Sequence, residues 1–315
     1  MSDAKGKTAV LVMAMGGPSA LEEVEPFLGR FLGDRLPSRE RIEEIKGRYR
    51  LIGGKSPLSG ITLRQARALE AELTGRGQRL GVFTGMRFST PSVEGAIAKM
   101  KVLGIQQVIA LPLVPHRSRL TTEPYFALLE QTIKSQKACL KVLRIPQWHT
   151  HPLFLQAVEE KVREGLSRFV SEFRTAVQVV FSVHSLPKEA VSDGPYLEEI
   201  HETIRGLLER VGPFAWQLAF QSRGGGSESW LEPDVGEVLV ELSRQGCHEV
   251  LVVPLGFVSD HLETLYDLDI KYRKQAKELG MEYQRSPSLN DSPKFIQVLT
   301  EVVLAELEKV KARSG

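Results

Sequence analysis

The feature that most constrains this chain is the alternation of short apolar, β-branched runs with longer amphipathic segments. The runs lie at 9–15, 80–84, 107–113 and 140–145, then again at 177–183, 216–221, 249–254 and 281–284. Helical periodicity fills the stretches 21–32, 38–50, 62–73, 92–103, 152–172, 194–211, 234–245, 260–279 and 292–312. Strands apolar at nearly every position must be covered on both faces, as in a parallel sheet wrapped by helices. The predicted class is therefore α/β: two Rossmann-like domains, each with a four-stranded parallel sheet flanked by helices. The segment 146–152, with Pro146 and Pro152 at its ends, marks the expected boundary. It divides the chain into domains at 1–150 and 151–315, and leaves the last helix, about 292–312, free to pack back on the first. A chain of 315 residues suits two domains of roughly 150 residues each. No internal repeat is legible between the halves.

In sheets of this kind ligands bind outside the carboxyl ends of the strands. Residues that directly follow a strand are thus the candidates for function. Composition narrows what that function is. The chain carries 41 Lys and Arg against 39 Asp and Glu, a net charge of +2, without the positive bias of a nucleic-acid binder. Its longest apolar stretch, near 250–258, falls far short of the roughly eighteen residues that a membrane span needs. Lys5 and Lys7 ahead of the run 8–15 imitate a short export signal. That run leads into Gly16-Gly17-Pro18 and an acidic segment, which suits a first core strand and a turn. A cytoplasmic protein is expected. The two cysteines, Cys139 and Cys247, cannot build a disulfide framework, a four-thiolate zinc site or an all-cysteine iron–sulfur cluster. Two buried thiols are expected instead.

Three strand ends carry chemistry. Phe181-Ser182-Val183-His184-Ser185-Leu186-Pro187 delivers one imidazole to the edge of a sheet, and Pro187 ends the strand pairing. An imidazole there can accept a proton near neutral pH or ligate a borderline metal, and it can equally bond a loop carbonyl. The segment from Gly256 to Asp267 places Glu263 and Asp267 four residues apart on one helical face. Two such carboxylates can hold a cation or pass protons between them. Asp260 and Glu263 also have capping-box spacing, which accounts for Glu263 but leaves Asp267 unused. The third segment, Gln221-Ser222-Arg223-Gly224 followed by Trp230, is a loop able to anchor a carboxylate and a flat ring, or only to pack Trp230 beneath it.

Other features are set aside. Gly53-Gly54-Lys55-Ser56 ends like a phosphate-binding loop, but Tyr49 stands where that motif needs glycine and Pro57 follows at once. His149 and His151 fit no zinc spacing and read as the start of a helix at Pro152. Met13, Met15 and Met86 read as packing residues rather than haem ligands.

In order and spacing these segments resemble the ferrochelatases, which insert ferrous iron into a porphyrin. The likeness includes Leu11-Val12-Met13-Ala14-Met15-Gly16-Gly17-Pro18, Tyr49–Leu58, and Leu113-Val114-Pro115-His116-Arg117-Ser118. It continues through Phe181–Pro187, Gln221-Ser222-Arg223, Trp230-Leu231-Glu232-Pro233 and the run from Gly256 to Asp269. The resemblance implies a chelatase fold with a porphyrin cleft between its domains, Fe²⁺ and porphyrin as substrates, and no permanently bound cofactor. It implies that His184 and Glu263 are catalytic and face each other across the porphyrin centre, and that His184, Glu263 and Asp267 contact the metal. Met15, Ser182, Ser222 and Trp230 are implied substrate contacts, and Arg30, Arg35 and Arg48 contribute to a basic rim.

Two departures from the family pattern stand out. Lys271 occupies the place of a third acid in the row begun by Glu263 and Asp267. The segment 33–40 is short and polar where members acting on protoporphyrin IX have a longer apolar lip. That leans toward coproporphyrin III, although Met15 leans the other way. The two cysteines exclude the [2Fe–2S] cluster of some relatives. The resemblance leaves room for a monomer or homodimer and for peripheral membrane contact, without nucleic acid. The alternatives are a cobalt or nickel chelatase for a sirohydrochlorin-type ring, expected to present paired histidines, and a non-enzymatic tetrapyrrole-binding protein.

Overall fold

All eight apolar runs form strands: β1 (Thr8–Ala14), β2 (Gly81–Met86), β3 (Gln107–Pro112), β4 (Lys141–Arg144), β5 (Gln178–His184), β6 (Trp216–Gln221), β7 (Glu249–Pro254) and β8 (Glu282–Arg285). The computed structural model describes residues 7–33, 37–170, 177–212, 214–224 and 228–314. The strands make two parallel sheets of the same design, ordered β2-β1-β3-β4 and β6-β5-β7-β8. In each, the first strand of the half lies centrally between the second and third, so the chain crosses over through helices as parallel pairing demands.

The first sheet is covered by α3 (Leu58–Gly75), α4 (Val93–Val102) and α5 (Glu123–Ser135), while α1 (Val24–Leu32) and α2 (Arg39–Leu51) form a separate apolar cluster with Phe88, against which Met15 and Leu262 pack. The second half carries α6 (Pro152–Leu166), α7 (Lys188–Val191), α8 (Tyr196–Val211), α9 (Val235–Arg244), a π-helix (Glu263–Tyr272) and α10 (Arg273–Glu278), and then α11 (Pro293–Ser314), which packs on α6 and reaches β3 of the first sheet. One apolar core runs from sheet to sheet, from Val10 and Val12 through Leu69 and Phe154 to Phe181 and Phe295. Within that core α11 packs on α3, and Arg64 meets Asp291 at 2.7 Å beside it.

Four details differ from the sequence expectations. The helix α5 was not anticipated, although Pro124 in its first turn and the buried Tyr125, Phe126 and Leu129 are a legible start and face. The short α7 was not anticipated either. The helix expected over 260–279 splits into the π-helix and α10. Cys139 is exposed and only Cys247 is partly covered, so the pair of buried thiols does not form; position 139 precedes β4, the edge strand of the first sheet. No helix among the described residues is long and apolar enough to cross a membrane.

Candidate active site

The carboxyl ends of the central strands face one cavity of about 1070 Å³, at the upper end of the usual range for ligand sites. Its two walls come from the two sheets. Met15 follows β1, Arg87 and Phe88 follow β2, and Leu113 follows β3. Gly16 makes the turn after Met15 possible: at φ +81°, a Cβ there would lie 2.1 Å from the Ser89 Oγ. From the other side come His184 at the end of β5, Trp230, and Phe257, His261 and Glu263 beyond β7.

His184 and Glu263, 79 positions apart, meet at this edge. His184 Nδ1 lies 2.9 Å from Glu263 Oε2, with the side chains 30% and 24% exposed. The arrangement implied by family resemblance, one group on each side of a ring, is thereby corrected: at this separation nothing fits between them. Sheet order is the reason, because β5 and β7 are neighbours and the π-helix leaves β7 beside the end of β5. Burial disfavours the imidazolium, but the Glu263 charge and hydrogen bond, with Asp267 beyond, outweigh it and raise His184 above the ordinary histidine value. Burial likewise opposes ionisation of Glu263, yet His184 above all pulls its carboxyl down to about 2. Asp267 is displaced upward, by burial and then by Glu263, against the pull of Ser222. The site therefore holds a carboxylate firmly ionised beside an imidazole with enhanced basicity.

Glu263 does not serve as a helix cap. The Asp260 backbone N–H donates instead to Asn290 Oδ1 at 2.8 Å, and the Glu263 carboxylate is engaged by His184. Among the described residues no three His, Cys, Asp or Glu side chains converge as a metal cage. His184 and Glu263 are two donors with an open side, while Asp267 is held one step away, its Oδ2 accepting the Ser222 hydroxyl at 2.7 Å.

The remaining expected contacts divide. Met15 and Trp230 line the cavity. Gly224 lets the Trp230 ring lie against the backbone, since a Cβ there would come within 2.4 Å of it. Ser182 is fully buried and cannot touch a substrate; its hydroxyl donates to Gln221 Oε1. Ser222 is not in the lining and orients Asp267 instead. Gln221 then donates through Nε2 to the Glu263 carbonyl at 3.0 Å. The serines thus support the acids rather than the ligand.

The basic rim is also corrected. Arg30 donates from Nε to the Phe88 carbonyl at 2.6 Å, and Arg48 pairs with Glu44 at 2.7 Å while stacking over Tyr266. Neither lines the cavity, and Arg35 lies outside the described residues. Lys271 lies over the Tyr272 ring, its Nζ 4.4 Å from the centroid. His151 caps α6 as expected, accepting from the Leu153 N–H at 3.3 Å.

Three of the lining residues to which sequence reasoning gave no role stand out. Arg87 is the only Lys or Arg among the described residues that lines the cavity, and its guanidinium sits 4.6 Å from the Phe88 ring centroid. Tyr196 donates its hydroxyl to the His184 carbonyl at 3.0 Å, fixing the strand end. His261 also faces the cavity, with Nδ1 3.1 Å from the Ser259 carbonyl. Arg87 follows a strand directly and could have been found by that rule; Tyr196 opens a helix and gave no such signal.

A sequence model of the ferrochelatase family matches residues 7–307. Ferrochelatases from Geotalea uraniireducens and Geotalea daltonii are each 44% identical to the chain, covering 94% of it and 97% of the relative. Among solved structures, SirB from Bacillus subtilis with Fe³⁺ superposes with a TM-score of 0.59 over 97% of this chain and 98% of its own. At 14% identity that likeness speaks for the fold alone. Architecture, cavity and family match agree: the chain belongs to the ferrochelatase family, enzymes that insert Fe²⁺ into a porphyrin, displacing two protons and forming nitrogen–metal bonds late in haem synthesis.

Proposed function

We propose that His184 takes the pyrrole protons, that Glu263 keeps it basic, and that Glu263 with Asp267 receives the incoming Fe²⁺. Metallation removes two protons from ring nitrogens as two nitrogen–iron bonds form, so a base must stand at the ring face. The contact between His184 Nδ1 and Glu263 carries this reading. It commits Nδ1 to the carboxylate and leaves Nε2 of this cavity-lining residue as the proton acceptor. Each proton taken there is stabilised by the adjacent anion before it passes to water. Ferrous iron accepts nitrogen and oxygen donors, and the open side of the pair suits an ion in transit better than a closed cage would. Met15 and Trp230 supply flat apolar contact that holds the macrocycle against these groups.

The ring we favour is protoporphyrin IX. Its support is the cavity lining, where apolar area predominates and Arg87 is the lone strong cation among the described residues. Arg30 and Arg48, on which a four-carboxylate ring would draw, are engaged elsewhere. The same reading has the chain acting in the cytoplasm, as monomer or homodimer, with Fe²⁺ as substrate and no bound cluster. The decisive experiment is anaerobic Fe²⁺ metallation run in parallel on protoporphyrin IX and coproporphyrin III. Faster turnover of protoporphyrin IX is expected; preference for coproporphyrin III would reverse the assignment of the ring.

A further inference from the structure

The helix that presents Glu263 and Asp267 is a π-helix over ten residues, Glu263–Tyr272. Such wide turns are rare, usually last a single turn, and occur mostly at functional sites. A long one needs support from outside its own backbone. On the acid side, that support comes from His184, Gln221 and Ser222. On the other side it comes from Arg285, the last residue of β8, whose side chain is only 11% exposed.

Arg285 donates from Nε and Nη2 to the two carboxylate oxygens of Asp269, at 2.7 and 2.8 Å. Its Nη1 reaches Asp260 Oδ1 at 3.2 Å and Ser288 Oγ at 3.2 Å. Asp260 is held in turn by the Ser288 hydroxyl at 2.7 Å and the Asn290 side-chain amide at 2.8 Å. One guanidinium therefore ties down the residue three before Glu263 and the residue two after Asp267. A planar fork can do this; a lysine ammonium lacks the paired geometry. The lock also touches the other half, because Gln65 on α3 donates to Ser259 Oγ at 2.9 Å and to the Asn290 carbonyl at 2.7 Å.

We propose that Arg285 is a positioning residue for metallation: by clamping Asp260 and Asp269 it holds the π-helix where Glu263 meets His184. This rests on the reading of His184 and Glu263 given above. Arg285 is not among the residues that line the cavity, so its loss acts on turnover and leaves ring binding in place. Misplacement by about 1 Å can cost ~10²-fold in rate.

The test is a double-mutant cycle with Fe²⁺ and protoporphyrin IX, reading kcat, KM and porphyrin affinity by fluorescence quenching. Arg285→Met should lower kcat by about 100-fold with porphyrin affinity within about twofold. In a Glu263→Ala background the same change should cost no more than about threefold, because the group being positioned is gone. Equal losses in both backgrounds would mean a general structural role and overturn the inference, while leaving the roles of His184 and Glu263 intact. Undiminished turnover in Glu263→Ala alone would overturn those roles and the inference with them. If Arg285→Met does not fold, Arg285→Lys and Asp269→Asn carry the same cycle. Each should show a smaller loss that again vanishes without Glu263, and additivity there overturns the inference equally.

Discussion

The two halves of the molecule share one scaffold and divide the work. Both sheets are parallel, four-stranded and ordered with the first strand of each half between the second and third. Their strand ends differ in kind. Beyond β1, β2 and β3 the chain supplies Met15, Phe88 and Leu113, an apolar wall with one cation, Arg87. Beyond β5, β6 and β7 it supplies His184, Gln221 and Glu263, tied to one another by hydrogen bonds. On the proposed roles, the same topology yields a wall that binds and a wall that reacts. What decides between them is the chemistry of a few residues after each strand, since the strands themselves are equally apolar and buried.

The contrast is broken most directly at His184. Replacing it with alanine should lower kcat by roughly 10³-fold, within the span of general-base effects, while porphyrin affinity changes by less than about twofold. Near-normal turnover in stopped-flow metallation would remove the reacting wall's central member. A smaller effect is expected for Glu263→Gln, about 10²-fold in kcat, with a diagnostic shift in pH dependence. The sign follows from the pair. Glu263 raises His184, and an imidazolium cannot accept a proton, so kcat/KM falls as pH drops through the raised value. Without the carboxylate charge His184 returns toward lower values, and the acid limb of kcat/KM should move to lower pH. An unmoved limb would detach Glu263 from His184.

The binding wall is tested at Met15. Met15→Ala should raise the porphyrin KM about fivefold, from ~1 kcal/mol of lost apolar contact, with kcat nearly unchanged. A fall in kcat as large as that in Glu263→Gln would blur the division between the walls. Least effect is expected of Lys271→Glu. Lys271 is engaged with the Tyr272 ring and hydroxyl, and turnover at saturating Fe²⁺ should change by less than about twofold, on the scale of an exposed charge. A several-fold gain would mean that iron delivery along the helix limits the reaction.

Much of this was legible in one dimension. A run of apolar residues states its own burial, so all eight strands and most helices could be placed from periodicity. The strand-end rule then pointed to His184, Glu263, Asp267 and Trp230, and the family resemblance added Met15; all of them lie in or next to the cavity. Ser182 shows where such reasoning stops. It lies two residues before His184 on the same face of the strand, yet it is fully covered while His184 reaches the cavity. Alternation gives the face, and only the packing above that face gives exposure. The arginines teach the same lesson: Arg30 and Arg48 have the charge for a rim, but nearby acceptors claim them. Arg87, engaged over the Phe88 ring, is the cation left to the cavity among the described residues.

Sequence by itself determined the fold class, the strand positions and the residue types brought to the sheet edges, because these depend on local periodicity and composition. Tertiary structure decided which of those residues meet. The order β6-β5-β7-β8 sets His184 against Glu263 rather than across a ring from it, and brings Arg285 from the far strand to the back of the same helix. Strand order is a property of the whole chain, fixed by how helices cover both faces of a sheet, and no local window of residues contains it.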